Sequence, residues 1–211
     1  MEILSFSHLA STQKYLIEQL KTRVIQSPIA VITNEQTSGV GSRDNEWSGG
    51  EGNFFASIAI DLKDFPEDLP LATASIYFSY IMKQTLLELG ENIWLKWPND
   101  FYKNDDKVGG TITKKINNTL VCGIGINLKN TQNGYRSLQS DISHEKLLEN
   151  YLKRVEKFLT WKEIFSEYKV EFELSRSFIV HIDNYQKSLK NAILCMDGSL
   201  IIEGRKVYSL R

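Results

Sequence analysis

Lys96-Trp97-Pro98-Asn99-Asp100, followed by Lys107-Val108-Gly109-Gly110 and then by Gly123-Ile124-Gly125-Ile126-Asn127, is the stretch on which the reading of this chain turns. Pro98 holds its own φ and pushes Trp97 toward extended geometry, so the first run ends a strand and presents Asn99 and Asp100 on a turn. Period-two alternation along Thr119 to Asn127 puts Leu120, Cys122, Ile124 and Ile126 on one face and Val121, Gly123, Gly125 and Asn127 on the other. One face is a core face. The other is bare enough for a ligand, a bulge or a close helix contact to lie flat against the backbone. The same rule applied to Lys107 through Thr113 groups Lys107, Gly109, Thr111 and Thr113 opposite Val108, Gly110 and Ile112, so a lysine opens a second glycine-smoothed surface.

Working outward, Ile93 to Trp97, Lys107 to Thr113 and Thr119 to Asn127 read as strands, the last two joined by Asn117-Asn118. Upstream, Ser11 or Thr12 caps a helix running to about Lys21. Ile29 to Thr33 and Phe54 to Ile60 are β-rich runs, and a core helix follows Pro70 and stops at Gly90. Downstream, a stripe from Leu147 to Leu159 and a helix over Trp161 to Phe172 precede short strands at Ser177 to Asp183, Asn191 to Met196, Ser199 to Glu203 and Lys206 to Leu210. This order predicts an α+β fold, with a mixed or antiparallel sheet and flanking helices over residues 1–174 and a small β unit over residues 175–211.

Between Gln36 and Asn53 lie Gly39, Gly41, Gly49, Gly50 and Gly52, with Arg43 the only cation and Trp47 the only aromatic residue. The reading is a long mobile loop, either a lid or a plain surface loop. It matches neither a P-loop nor a dinucleotide fingerprint, because the glycines are wrongly spaced and open no helix.

With 211 residues the chain can bury a full core, and a formal net charge of −1 argues against a basic nucleic-acid footprint. Cys122 and Cys195 form no metal-ligand pattern and suit a reducing cytosol. No apolar run reaches the length of a membrane span, so a soluble cytoplasmic protein without DNA or membrane partners is expected.

Together these segments resemble the biotin protein ligases, which activate biotin with ATP and attach it to a lysine of a carboxylase carrier domain. Ser11-Thr12-Gln13 resembles the family's Ser-Thr-Asn motif. Gln36 with Gly39-Val40-Gly41-Ser42-Arg43 and Trp47 stands in the place of its Gly-Arg-Gly-Arg-Arg-Gly loop. Lys96 to Asp100 is similar to its Lys-Trp-Pro-Asn-Asp, Lys107 to Gly110 to its Lys-x-x-Gly, and Gly123 to Asn127 to its Gly-x-Gly-x-Asn strand. The Asp197-Gly198-Ser199-Leu200 turn and Tyr208-Ser209-Leu210-Arg211 resemble its C-terminal SH3-like barrel. Three departures stand out: Val40 and Ser42 replace loop arginines, Gln13 replaces Asn, and the chain begins almost directly at the catalytic part, which implies a monofunctional ligase.

The resemblance implies roles. Lys107 would contact the biotin carboxylate and then the adenylate phosphate, with Arg43 and Lys96 as further catalytic cations and Mg²⁺ neutralising the leaving pyrophosphate. Ser11, Thr12, Gln13, Gln36, Gly39, Val40, Gly41, Ser42, Trp97, Gly109, Gly110 and Gly125 would bind biotin together with Lys107, Trp97 supplying a flat wall. Arg43, Trp47, Asn99, Lys107 and Asn127 would bind ATP or the adenylate. Asp100 would either orient the acceptor lysine or hold Mg²⁺. The implied partner is the biotin carboxyl carrier domain of acetyl-CoA carboxylase, and the implied state a monomer or weak homodimer. A lipoate or octanoate ligase on the same core, or a catalytically weak biotin-binding regulatory module, are the alternatives.

Overall fold

The computed structural model describes residues 1–41, 46–129, 136–182 and 185–208. In chain order the described elements are β1 (Glu2–Leu9), α1 (Thr12–Lys21), β2 (Ile29–Val40), β3 (Glu46–Gly49), β4 (Phe54–Asp61), α2 (Ala74–Glu88), β5 (Trp94–Lys96), β6 (Asp100–Lys103), β7 (Asp106–Ile116) and β8 (Thr119–Ile126). They continue through α3 (His144–Val155), α4 (Trp161–Ser175), β9 (Ile179–Ile182), β10 (Tyr185–Ser188), β11 (Ile193–Leu194), β12 (Leu200–Ile202) and β13 (Arg205–Val207).

The main sheet runs β1-β2-β4-β8-β7-β6-β5, with β3 paired to β2. Only its β1–β2 pair is parallel among the described pairings. Each strand therefore has two faces to cover, and the two are covered unequally. Ala30, Ile32, Ala56, Ile58, Cys122, Ile124 and Ile126 point into one large apolar cluster with α2, α3 and α4. Leu16, Ile29, Val31, Ala59 and Val121 form a smaller cluster beneath α1 on the opposite face. The α1 face thus carries apolar cover at one end and the paired glycines of β7 and β8 at the other.

Local chemistry sets the helix ends. The Ser11 hydroxyl accepts from the Lys14 N–H at 3.3 Å, satisfying one free donor of the first turn of α1. Thr160 and Glu163 make a reciprocal capping box on α4. α2 is buried nearly all round from Ala74 to Met82, as a helix between two packed layers must be, and Gly90 ends its final turn at φ +93°.

Several strands were not legible beforehand. β1, β6 and β10 were not expected, and the region from Gln36 to Asn53 is not a long structureless loop. β2 runs on to Val40, and β3 folds back on it with Gly39 opposite Trp47. Residues 42–45 of this region lie outside the described residues.

The C-terminal strands form two small antiparallel sheets, β9–β10 and β11–β12–β13, in keeping with the SH3-like unit expected. Val180, Leu189, Ala192, Leu200 and Ile202 belong to the same apolar cluster as the main helices. Two indoles fix the joint. Trp97 Nε1 donates to the Gly198 carbonyl at 3.0 Å, and Trp161 Nε1 donates to the Met196 carbonyl at 2.7 Å. Gly198, at φ +71°, sits so close that a Cβ there would lie 2.5 Å from Thr73 Cγ2.

Candidate functional site

A cavity opens on the α1 face of the sheet, between the N-terminus of α1, the far end of β2, Trp47, the turn at Asn99-Asp100 and strands β7 and β8. One wall is the first turn of α1. The backbone N–H and hydroxyl of Thr12 both donate to Gln36 Oε1, at 3.0 and 3.3 Å, and the same hydroxyl lies 2.8 Å from Ser57 Oγ. Gly39 leaves room for this arrangement, since a Cβ there would lie 2.1 Å from Gln36 Nε2. Gln13 reaches across the sheet to donate to the Ile112 carbonyl at 3.3 Å, and its side chain lies flat over Gly123.

The floor is glycine. A Cβ on Gly125 would come within 2.7 Å of Trp47 Nε1 and 2.8 Å of its Cε2, so the indole rests directly on the β8 backbone. That indole N–H is buried and has no hydrogen-bond partner among the described residues. The face read as bare from the sequence is therefore occupied by Gln13 over Gly123 and Trp47 over Gly125.

At the rim, Lys107 Nζ lies 2.6 Å from Asp100 Oδ1, and 5.8 Å from the centre of the Trp47 ring. Gly110 lies beneath this pair, where a Cβ would approach Asn99 O tightly at 3.1 Å and come into ordinary contact with Asp100 Oδ1 at 3.4 Å. Beneath the pair, Thr111 N–H donates to Asn99 O at 3.0 Å while the Asn99 amide donates back to the Thr111 carbonyl. Further along β6 and away from the cavity, burial first and the nearby Asp100 carboxylate second push the Tyr102 phenol up to about 12.

A bulge corrects the facing of β7. The register passes from Phe101↔Gly109 to Tyr102↔Lys107, leaving Val108 as the extra residue, buried in the main cluster. Beyond it the alternation is inverted. Lys107, Gly110 and Ile112 face the cavity, whereas a Gly109 Cβ would meet the Phe101 ring at 2.9 Å and Thr111 bonds to α2. Gly109 is therefore not a cavity residue, contrary to strict alternation.

Of the residues singled out in the sequence, Ser11, Thr12, Gln13, Gln36, Val40, Gly41, Trp47, Asn99, Asp100, Lys107, Gly110 and Gly125 line the cavity. Trp97 does not. It is fully buried, its backbone N–H donates to Ser175 Oγ at 3.1 Å, and its indole anchors the C-terminal turn, so the expected flat wall is a core pillar. Lys96 lies over the rings of Tyr102 and Phe178, at 5.4 and 5.7 Å, and is not among the cavity residues. Asn127 donates from its backbone to Val108 O and from its amide to Arg136 O, behind the cavity. Gly39 acts through Gln36. Ser42 and Arg43 lie outside the described residues.

Thr111, Ile112 and Ile124 also line the cavity, and Ser57 supports it through Thr12. Ser57 pairs in register with Gly123 and is the buried polar break in the otherwise apolar Phe54–Ile60 run, a signal visible in the sequence. Ile112 came onto the cavity face only through the bulge. Among the described residues no group of three or more His, Cys, Asp or Glu could form a metal cage, and no helix is long and apolar enough to cross a membrane.

The profile of the biotin/lipoate A/B protein ligase family matches residues 5–130, a span that contains every wall of this cavity. The chain belongs to that family. Among solved structures, the ligase-family fold is shared with biotin acetyl coenzyme A carboxylase synthetase from Helicobacter pylori with bound biotinylated ATP, at a TM-score of 0.94 and 38% identity, covering 98% of this chain and 99% of that one. Biotin protein ligase from Aquifex aeolicus in complex with biotin and ATP matches at a TM-score of 0.79 and 22% identity, covering 100% of this chain and 96% of that one, which speaks to the fold alone. The bifunctional ligase/repressor BirA of Escherichia coli strain K12 is 30% identical over 125 residues, covering 56% of this chain and 38% of that relative's length. The chain thus spans well under half of the curated relative it matches.

Proposed function

We propose that this chain is a biotin protein ligase, converting biotin and ATP to biotinyl-5′-AMP and pyrophosphate, then transferring biotin to a lysine of a biotin carboxyl carrier domain with release of AMP. The observation that carries this reading is the likeness, over nearly the whole chain, to the Helicobacter pylori synthetase with bound biotinylated ATP. The cavity suits the chemistry. Biotin's carboxylate must attack an α-phosphate, and two anions approach only where a preorganised cation offsets their repulsion. Lys107 stands at the rim for that task, held by Asp100 so that no rearrangement is needed at the moment of reaction.

The neutral end of biotin is assigned to the opposite wall, where Thr12, Gln36 and Gln13 present an ordered set of amide and hydroxyl groups. Gly123 and Gly125 let Gln13 and Trp47 lie against the β8 backbone, and the cavity those side chains border is offered to the flat bicycle. Trp47 covers the nucleotide side, and its unpartnered N–H gives a reason for a polar ligand atom to settle there. Cover of this kind keeps water from the mixed anhydride.

In the second half-reaction the acceptor lysine attacks as a neutral amine, and Asp100, a cavity residue, is assigned to orient it and receive its proton. Asp100 is paired with Lys107, and a lone carboxylate suits a Mg²⁺ that arrives on nucleotide phosphates rather than one caged by protein. That ion would supply charge neutralisation for the leaving pyrophosphate.

The family likeness further supports a cytoplasmic enzyme, monomeric or a weak homodimer, acting on the carrier domain of acetyl-CoA carboxylase. It also supports a catalytic part over residues 1–174 with a smaller β unit over residues 175–211 packed on it. The test is exchange of labelled pyrophosphate into ATP. Exchange that requires biotin supports the reading; exchange that requires lipoate or octanoate instead, or no exchange by folded protein, overturns it.

A further inference from the structure

Thr111 is a polar residue in an apolar place. It is 1% exposed, on the helix-facing side of β7, opposite Ile124 and one residue beyond Gly110. Its hydroxyl lies 2.6 Å from Ser79 Oγ and donates to the Ser75 carbonyl at 3.3 Å, both residues of α2 and both buried. A small, satisfied polar cluster between a sheet and a core helix specifies one register of packing where apolar side chains alone would tolerate sliding.

The backbone of Thr111 carries that register to the cavity. Its N–H and carbonyl are both bonded to Asn99, and Asn99 is the residue before Asp100. Asp100 in turn pairs in the sheet with Gly110 and holds Lys107 at 2.6 Å. A chain of direct contacts therefore runs from Ser75 and Ser79 through Thr111 and Asn99 to the Lys107–Asp100 pair.

Resting on the ligase reading above, we propose that Thr111 is a positioning residue: its hydroxyl, clamped by Ser75 and Ser79 of α2, sets where Asp100 and Lys107 stand relative to the reacting carboxylate. Its hydroxyl is engaged by α2 and acts through Asn99. Its effect should therefore fall on the rate of adenylate formation and not on capture of biotin, whose other contacts lie across the cavity on α1 and β2.

Thr111→Val keeps the shape and removes the hydroxyl; Thr111→Ser keeps the hydroxyl; Ser79→Ala removes the helix-side partner. In biotin-dependent pyrophosphate exchange, Thr111→Val and Ser79→Ala should lower kcat on the order of tenfold to a hundredfold, the scale of a sub-ångström to ångström misplacement of a reacting group. The KM for biotin should stay within about twofold, and Thr111→Ser should recover most of kcat. An unchanged kcat in Thr111→Val and Ser79→Ala, a loss confined to KM, or a loss that serine does not rescue would overturn the positioning role. Should Thr111→Val fail to fold, Ser79→Ala and Thr111→Ser decide the matter between them. Absence of exchange in the unaltered chain would instead overturn the ligase reading, so the two failures are distinguishable.

Discussion

Lys107 Nζ stands 2.6 Å from Asp100 Oδ1 across the β6–β7 hairpin, with 36% of the lysine side chain and 19% of the aspartate side chain exposed. The pair is neither a solvated surface contact nor a dry buried one. The lysine keeps a face to the cavity while its direction is fixed, which is what a cation needs in order to receive a charged ligand without first reorganising.

Removing that cation should abolish most of the first half-reaction. Lys107→Ala is expected to slow adenylate formation on the order of a hundredfold or more, the scale for losing a preorganised charge donor. Single-turnover measurement of biotinyl-5′-AMP gives the rate. A change below about threefold would assign the task to another group.

The indole over Gly125 should act as a cover for the bound intermediate. Gly125→Ala would push its new methyl into Trp47, whose Nε1 lies 2.7 Å from that position, so the ring must shift off the β8 backbone. Release of biotinyl-5′-AMP is expected to accelerate roughly threefold to tenfold, the scale of one lost aromatic contact. An unchanged release rate, with the protein folded, would show that Trp47 does not hold the adenylate.

Trp97 should prove to be a structural residue. Trp97→Phe removes the N–H that satisfies the Gly198 carbonyl and should cost about 1 to 3 kcal/mol of stability, the range for a buried acceptor left unpaired. Thermal unfolding measures the loss, and calorimetric biotin affinity should stay the same. A large loss of biotin binding with full stability would return Trp97 to the ligand wall.

Acid should loosen the C-terminal turn. Burial opposes ionisation of Asp197, but bonds from Lys206 and Ser199 outweigh it and hold the carboxyl below its ordinary value. A depressed folded value means stabilisation present above the unfolded pKa of about 4 and lost as pH falls through the folded one. Asp197→Asn should therefore lower the unfolding midpoint at neutral pH, with the difference shrinking as pH is taken below about 4. A difference that persists unchanged in acid would show that the charge is not involved.

The three motif runs, the first helix, the buried α2 and the two-faced β8 were legible in the sequence because each depends on local rules of periodicity, capping and turn formation. Position on β7 was not. The bulge at Val108 inverts the facing of everything after it, so Gly110 and not Gly109 shares the cavity with Lys107, and no pattern of apolar residues announces that shift. β1 escaped notice because an edge strand alternates weakly and finds its partner, β2, only in the folded sheet. The packing of Trp97 was hidden for a related reason. A tryptophan beside a turn suits a ligand wall or a core pillar equally well until the Gly198 carbonyl, far along the chain, comes to meet it.

The most direct test of the central claim is a crystal structure of the protein grown with biotin and ATP. The account predicts the biotin bicycle in the cavity bordered by Gln13, Trp47 and Gly110, with the carboxylate or adenylate phosphate within about 3 Å of Lys107 Nζ. Density for vitamin and nucleotide elsewhere, with the glycine-lined cavity and Lys107 untouched, would contradict it.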